Sequence, residues 1–294
     1  MSFSAPRPHR RGKPSYWSGD YSHGYSHGWS RGSTRGILME AKTYTNEAVA
    51  HEEELTSLEL SLVVPYFNPG APFRSHVAAI IAELESTGID FEVLAVSDGS
   101  TDGSEEAIDS MAPKRLRRIG LSHHQGKGQA LRVGMREARG RYLGFIDADG
   151  DLPASLIGPF VDAIRRGSVD IVVGSKRHPD SVVHYPLTRR FYSWSYQQLT
   201  RLAFGLQVAD TQTGLKVLSR PVIDEVLPLM VEKRFAFDLE LLVLASRLGY
   251  SRIEELPVRV DQRFGSTVSF RAVLRILWDT CAIWWRLNVS HRYG

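Results

Sequence analysis

Asp147 and Asp149 stand at i and i+2, directly after the apolar run Arg141-Tyr-Leu-Gly-Phe-Ile. Side chains of a strand repeat every two residues, so carboxylates at this spacing can aim their oxygens the same way. Asp151 keeps the interval, which lets three carboxylates line one edge. Hard oxygen ligands suit Mg2+ or Mn2+, and such an ion usually completes its shell with water and substrate phosphates. A solvated turn is the plainer reading of an Asp-x-Asp run, but the position at a strand end favours the metal. A second acidic run, Asp98-Gly-Ser-Thr-Asp-Gly-Ser, follows another apolar stretch. Its Asp98 can accept the imide N–H of uracil or an equivalent donor on another base. Ser104, with Glu105 and Glu106 behind it, reads as a helix N-cap. The two readings coexist, because the cap uses Ser104 and leaves Asp98 free. Gln125-Gly-Lys127-Gly-Gln opens a helix, where backbone N–H groups and the Lys127 ammonium can meet an anion. It lacks the spacing and the Lys-Ser/Thr pair of a phosphate-binding P-loop.

The elements that must hold these residues are legible around them. Leu60–Pro65 is a short apolar run bounded by turn residues and predicts a buried strand. A helical stretch over Phe73–Thr87, a strand over Phe91–Val96, a helix over Gly128–Ala138 and strands over Arg141–Ile146 and Asp170–Gly174 follow. Strands alternating with helices imply right-handed crossovers and a mostly parallel, doubly wound α/β sheet. Ligands of such sheets bind beyond the carboxyl ends of the strands. Both acidic runs fall there.

Bulk properties narrow the class. The 294 residues carry a formal net charge of only +3, which argues against a nucleic-acid partner held by many phosphate contacts. The single cysteine, Cys281, has no partner for an internal disulfide and suits a reducing compartment. No signal-peptide pattern and no apolar run long enough for a transmembrane helix is expected. Residues 1–57 read as a low-complexity basic tail that buries too little apolar surface to fold, with a weak attraction to an anionic membrane. Residues 58–268 read as a single catalytic domain, and 269–294 as a C-terminal amphipathic helix. In that helix Arg271, Arg275, Asp279 and Arg286 share about 80° of arc, while Phe270, Leu274, Leu277, Cys281, Ile283, Trp284 and Trp285 cover most of the rest. It packs on the domain or on a second subunit, or it lies in a membrane interface with Trp278, Trp284 and Trp285 at headgroup depth and arginines facing phosphates.

Seven motifs in order carry a resemblance: Val64-Pro-Tyr-Phe-Asn, Ser97-Asp-Gly-Ser-Thr-Asp-Gly, Gly126-Lys-Gly, Asp147-Ala-Asp, Gly174-Ser-Lys-Arg, Asp210-Thr-Gln-Thr-Gly-Leu-Lys and Phe235-Ala-Phe-Asp-Leu-Glu-Leu-Leu. Together, over about Leu60–Val268, they resemble family-2 glycosyltransferases of GT-A (Rossmann-like) fold, in the branch that loads sugars onto polyprenyl phosphates. The last two look more like the dolichyl-phosphate glucosyltransferase group than the mannose synthase group. The resemblance implies a nucleotide-sugar site containing Pro65, Asp98, Lys127, Asp147, Asp149, Asp210, Gln212 and Lys216, with Asp98 on the base and the last three in a loop closing the sugar pocket. It implies Mg2+ or Mn2+ on Asp147 and Asp149, with Asp151 standing where relatives often carry a Gln that also reaches the metal. Arg177 and Arg190 would hold the acceptor phosphate, Ser193 would support them, and Glu240 would lie on a helix behind the pocket. Three positions depart from the pattern: Ser97 replaces a usual Asp, His124-Gln125 an Asn-Arg pair, and Thr267 a Lys.

The reaction so implied is a metal-dependent inverting transfer of a hexose, glucose first among them, from a nucleotide sugar (a UDP-sugar by preference) to a polyprenyl monophosphate at the cytoplasmic membrane face. Asp149, Arg177 and Arg190 would be its catalytic residues. A phosphomonoester dianion needs no general base, only positioning and counter-charge. The protein would be peripheral, reaching the bilayer through the C-terminal helix or a small membrane subunit. A saccharide or protein hydroxyl acceptor is the first alternative, and it needs Asp238 or Glu240 as base. A non-catalytic membrane-partner scaffold of the same fold is the second. A nucleotidyltransferase fits less well, because a Gly-rich basic loop near the first strand is missing.

Overall fold

The computed structural model describes residues 58–111, 113–183, 187–260 and 270–293; for 187–192 and 270–273 it describes the backbone alone. The expected tail over 1–57 and Thr267 lie outside these residues.

Seven strands form one sheet in the order β3-β2-β1-β4-β6-β5-β7. They are β1 (Leu60–Tyr66), β2 (Phe91–Ser97), β3 (Leu116–Gly120), β4 (Tyr142–Ile146), β5 (Ile171–Ser175), β6 (Leu215–Ser219) and β7 (Ile253–Pro257). β1 pairs in parallel with β2, from Leu60 opposite Phe91 to Tyr66 opposite Ser97, and with β4 on its other side. β6 alone runs backwards, antiparallel to both β4 and β5.

The central strands are buried along their whole length and mostly apolar because both faces of the sheet are covered. Val63, Leu94, Val96, Leu143 and Phe145 face one core, shared with α3 (Lys127–Glu137), α6 (Arg220–Val226) and α7 (Phe237–Arg247). Their neighbours Leu62, Val64, Val93, Ala95 and Ile146 face a second core, shared with α1 (Pro72–Ser86) and α4 (Ile157–Arg165). A short helix, α2 (Ser104–Asp109), follows β2. Its cap differs from the expected one: Gly103 is the N-cap and Ser104 the first helical residue, while Asp102 Oδ1, just outside the helix, accepts both the N–H (3.2 Å) and the Oγ–H (2.6 Å) of Ser104.

α5 (Leu187–Phe204) and α8 (Phe270–Asn288) pack together, with Tyr196 OH and Thr280 Oγ1 2.9 Å apart. α8 is docked by Thr280 and Ile283, both buried, and by Arg286, which pairs with Glu232. Of its charged arc, Arg286 and Asp279 are partly buried while Arg275 is exposed. Trp278 (76% exposed), Trp285 (57%) and Leu274 (50%) point outward, and Leu202 of α5 is 86% exposed. The membrane-interface reading, with the helix arginines facing phosphates, is corrected for Arg286, whose guanidinium is spent on the buried carboxylate of Glu232. Among the described residues no helix is long and apolar enough to cross a membrane.

Candidate active site

The strand order reverses between β1 and β4, and a cavity of about 740 Å3 opens at that edge. Pro65, Tyr66 and Phe67 reach it from the end of β1, Asp98 from β2, and Asp147, Ala148 and Asp149 from β4. Because β6 is reversed, the loop entering it brings Gln212 to the same edge. Gly126 and Lys127 come from the start of α3, Asp238 from α7, Arg234 and Phe235 from the loop before α7, and Arg275 from α8.

Four charges alternate along the floor. The Lys127 ammonium lies 2.6 Å from Asp147 Oδ1 and 3.6 Å from Asp238 Oδ2. Asp238 Oδ1 accepts from Lys216 Nζ, which also donates to the Thr213 carbonyl at 2.7 Å. Burial opposes the charge on Lys127, but Asp147 and Asp238 outweigh it and raise its pKa, so it stays an ammonium. Burial likewise opposes ionisation of Asp238, yet Lys216 and Lys127 hold its carboxyl below the usual range. The ring of Phe145 lies under both ammonium groups, at 5.8 Å and 5.2 Å. Asp147 also packs directly on backbone: its N–H donates to the Gly214 carbonyl at 3.0 Å. A Cβ on Gly214 would sit 1.9 Å from Asp147 Oδ2, so only glycine fits there.

The acidic run is shaped for a metal shared with a ligand. Asp149 Oδ1 accepts the Asp151 N–H at 3.1 Å, which bends the chain away, and Asp151 does not line the cavity. Among the described residues no three His, Cys, Asp or Glu side chains gather as a metal cage. The expected three-carboxylate edge is thus reduced to Asp147 and Asp149. One or two carboxylates with the rest of the shell left to phosphates and water is the usual arrangement for Mg2+, so the donor set fits such an ion.

Asp98 is not the free carboxylate expected. It is 2% exposed, and it accepts the N–H groups of Gln125 (2.7 Å) and Gly126 (2.8 Å), with His124 Nδ1 2.8 Å from Oδ2. The anion met by the start of α3 is therefore this internal carboxylate, which pins the loop. Gly126 takes φ 111°, and its Cα hydrogen faces the Lys233 carbonyl, which a Cβ would approach to 2.5 Å. The His124 ring stacks on Phe67 with centroids 4.2 Å apart, giving the cavity an aromatic wall. Gln212 Nε2, also at the wall, is buried without a hydrogen-bond partner among the described residues. Such a donor is costly to leave unpaired and marks a place for a ligand acceptor.

Asp210 and Lys216 stand behind the wall. Asp210 accepts from Thr213 Oγ1 (2.5 Å), Gln212 N (3.0 Å) and Lys176 N (3.1 Å), so it braces the Gln212 loop against the turn after β5. That turn opens a second cavity, of about 420 Å3, lined by Lys176, Arg177, His178, Pro179, Ser181, Val183 and Ser193. No Asp or Glu is among the described residues lining it. Arg177 and Ser193 thus come together as expected, and Lys176 and His178 join them. Arg190 belongs to α5, and its side chain lies outside the described residues. Glu240 lies on α7 and does not line the cavity: its Oε2 accepts the N–H groups of Val231 (2.9 Å) and Glu232 (2.8 Å), and Tyr293 O–H donates to Oε1 at 2.5 Å. Phe67, Arg234, Phe235 and Arg275 escaped the sequence reading. Phe67 had a signal, two residues past Pro65 at a strand end; the others stand on a loop and a helix that only the tertiary fold brings in.

Residues 61–227 match the family described as Glycosyl transferase family 2. Glycosyltransferase AglD of Haloferax volcanii is 30% identical over 240 residues, covering 80% of this chain; the chain spans only 38% of AglD's length. Dolichyl-phosphate beta-glucosyltransferase of Drosophila melanogaster is 31% identical over 255 residues, covering 81% of this chain and 78% of that protein. The crystal structure of glucosyl-3-phosphoglycerate synthase from Mycobacterium tuberculosis in complex with Mn2+, uridine diphosphate and phosphoglyceric acid has a TM-score of 0.60 at 19% identity, over 81% of this chain and 80% of that one. At that identity the likeness bears on the fold alone, a GT-A-like α/β sheet. With a match running from β1 through α6 and relatives aligned over most of its length, the chain belongs to glycosyl transferase family 2 and is a glycosyltransferase.

Proposed function

We propose that the enzyme transfers a hexose, glucose by preference, from a UDP-sugar to a polyprenyl monophosphate, with inversion and with Mg2+ or Mn2+. One observation carries the reading: beside the donor cavity lies a second cavity with Lys176, Arg177 and His178 on its wall and no described carboxylate. A hydroxyl acceptor needs a base there, whereas a phosphate acceptor needs cations. The names of relatives such as the Drosophila dolichyl-phosphate beta-glucosyltransferase support the same acceptor class.

The Phe67–His124 wall would pack against the nucleotide base, and Gln212 Nε2 would donate to the sugar or a phosphate oxygen. A divalent ion on Asp147 and Asp149 would neutralise charge on the leaving nucleoside diphosphate. Lys127 balances Asp147 and is held by Asp238, so its position is set before the donor arrives. Arg177 would hold the acceptor phosphate in line with the anomeric carbon. With a second pKa of about 6, that phosphate is already largely a dianion at neutral pH, so no side chain must remove a proton. The two candidate bases suit the role poorly: Asp238 is shared by two ammonium groups, and Glu240 is turned to Tyr293 and backbone.

A lipid acceptor needs the bilayer within reach. Trp278, Trp285, Leu274 and Leu202 form an outward apolar face on α5 and α8, suited to a membrane interface. The reading is tested by Arg177→Ala. KM for a polyprenyl phosphate should rise about tenfold or more, with KM for the UDP-sugar unchanged. Unchanged acceptor kinetics would overturn it.

A further inference from the structure

The donor cavity has a lopsided inventory of charge. Asp98, Asp147, Asp149 and Asp238 line it. Among its basic side chains, Lys127 is consumed by Asp147 and Asp238, and His124 sits against Asp98. Two guanidinium groups remain, Arg234 and Arg275. Neither is held in an ion pair by a described carboxylate; burial raises the pKa of Asp279, and both guanidinium groups lie close enough to oppose that rise without overcoming it. A cavity whose remaining cations are arginines suits a ligand that carries its own multiple negative charge.

Arg275 comes from the C-terminal helix, and that helix is fastened at its far end. Arg286 lies eleven residues on, about 16 Å along the axis. It pairs with Glu232 and lies 3.8 Å from Glu240. Tyr293 donates to Glu240 Oε1, while Glu240 Oε2 accepts from Val231 and Glu232, at the start of the loop that carries Arg234. One buried carboxylate therefore ties down both the helix bearing Arg275 and the loop bearing Arg234.

We propose that Arg275 and Arg234 form a clamp on the donor's diphosphate, and that the donor site is complete only while the Glu240–Tyr293–Arg286 latch keeps α8 docked. The proposal rests on the nucleotide-sugar reading above. Arg275 is a donor-binding residue; Tyr293 is a positioning residue, acting through Glu240.

Calorimetric titration of the full chain with UDP and with uridine, each in Mn2+, tests it. Arg275→Ala should weaken UDP about tenfold and leave uridine unchanged, because only UDP carries the diphosphate. Tyr293→Phe should weaken UDP by a smaller factor, about threefold, again sparing uridine. UDP binding equal to wild type in Arg275→Ala would overturn the clamp, as would an equal loss of UDP and uridine, which would mark a general disturbance of the cavity. Wild-type affinity in Tyr293→Phe would overturn the latch. Wild-type protein that binds neither UDP nor another nucleoside diphosphate would defeat the underlying donor reading and the clamp with it.

Discussion

Asp238 is held between Lys216, which is fully buried, and Lys127, which faces the cavity. Removing one member of a buried ion pair is costlier than never having had the pair, since the survivor keeps its charge without compensation. Asp238→Asn should therefore cost about 3 kcal/mol of stability, read by urea unfolding, and weaken UDP binding through a displaced Lys127. A general base would behave differently, losing turnover with stability intact. Asp149 belongs to the same scale. Its second oxygen has no described hydrogen-bond partner, and Asp149→Asn should raise the Mn2+ concentration for half-maximal UDP binding about tenfold or more, measured calorimetrically. The family resemblance supplied Gln212, while residue types and spacing pointed to Asp147, Asp149 and Lys127, whose chemistry is local to a strand end or a helix start. They misread Asp98, since its partners Gln125 and Gly126 lie 27 and 28 positions away in sequence and are brought to it only when β2 and α3 pack.

At the scale of elements, β1, β2 and β4 were legible because strands covered on both faces are mostly apolar along their whole length. β3 and β7 were not: as edge strands they are half-buried, and Arg117 and Arg118 interrupt the apolar run of β3. β6 hides a buried lysine at its second position, which no hydropathy pattern predicts without its partner Asp238. The reversed strand matters to function, for it presses Gly214 against Asp147. Gly214→Ala should lower transfer about a hundredfold, as the displaced carboxylate leaves its place, with a smaller effect on thermal unfolding. At the opposite edge, Glu92 of β2 joins Ser61 of β1 to Arg117 and Arg139. Burial alone would raise its carboxyl, but hydrogen bonds from Ser61 and the Arg139 N–H, with the charge of Arg117, hold it below its ordinary value of 4.5. The folded pKa being the lower one, this stabilisation is fully present above about pH 4.5 and is lost as pH falls through the folded value. Glu92→Gln should cost about 2 kcal/mol at pH 7, with a gap from wild type that narrows on acidification in urea titrations.

Across the whole molecule, the docked C-terminal helix places a cation at the donor cavity and tryptophans on the outside. An ordinary surface helix would bury its aromatic side; this one is fastened by Ile283, Thr280 and the Arg286 ion pair and presents Trp278, Trp284 and Trp285 outward. Replacing Trp278 and Trp285 together by Ser should cut sedimentation with anionic lipid vesicles about tenfold while leaving UDP affinity intact. Periodicity exposed the two arcs of this helix, but which arc faces the domain depends on Glu232 and Glu240, far away in the chain. On the proposed reading, a metal-held diphosphate and a cation-held monophosphate meet across the Asp210 brace. Transfer of label from UDP-glucose to a polyprenyl phosphate, compared with the polyprenol of equal length, tests it most directly. Labelled lipid that forms only from the phosphate and vanishes with EDTA is the predicted result. Equal transfer to the free alcohol, or transfer only to a soluble saccharide, would contradict it.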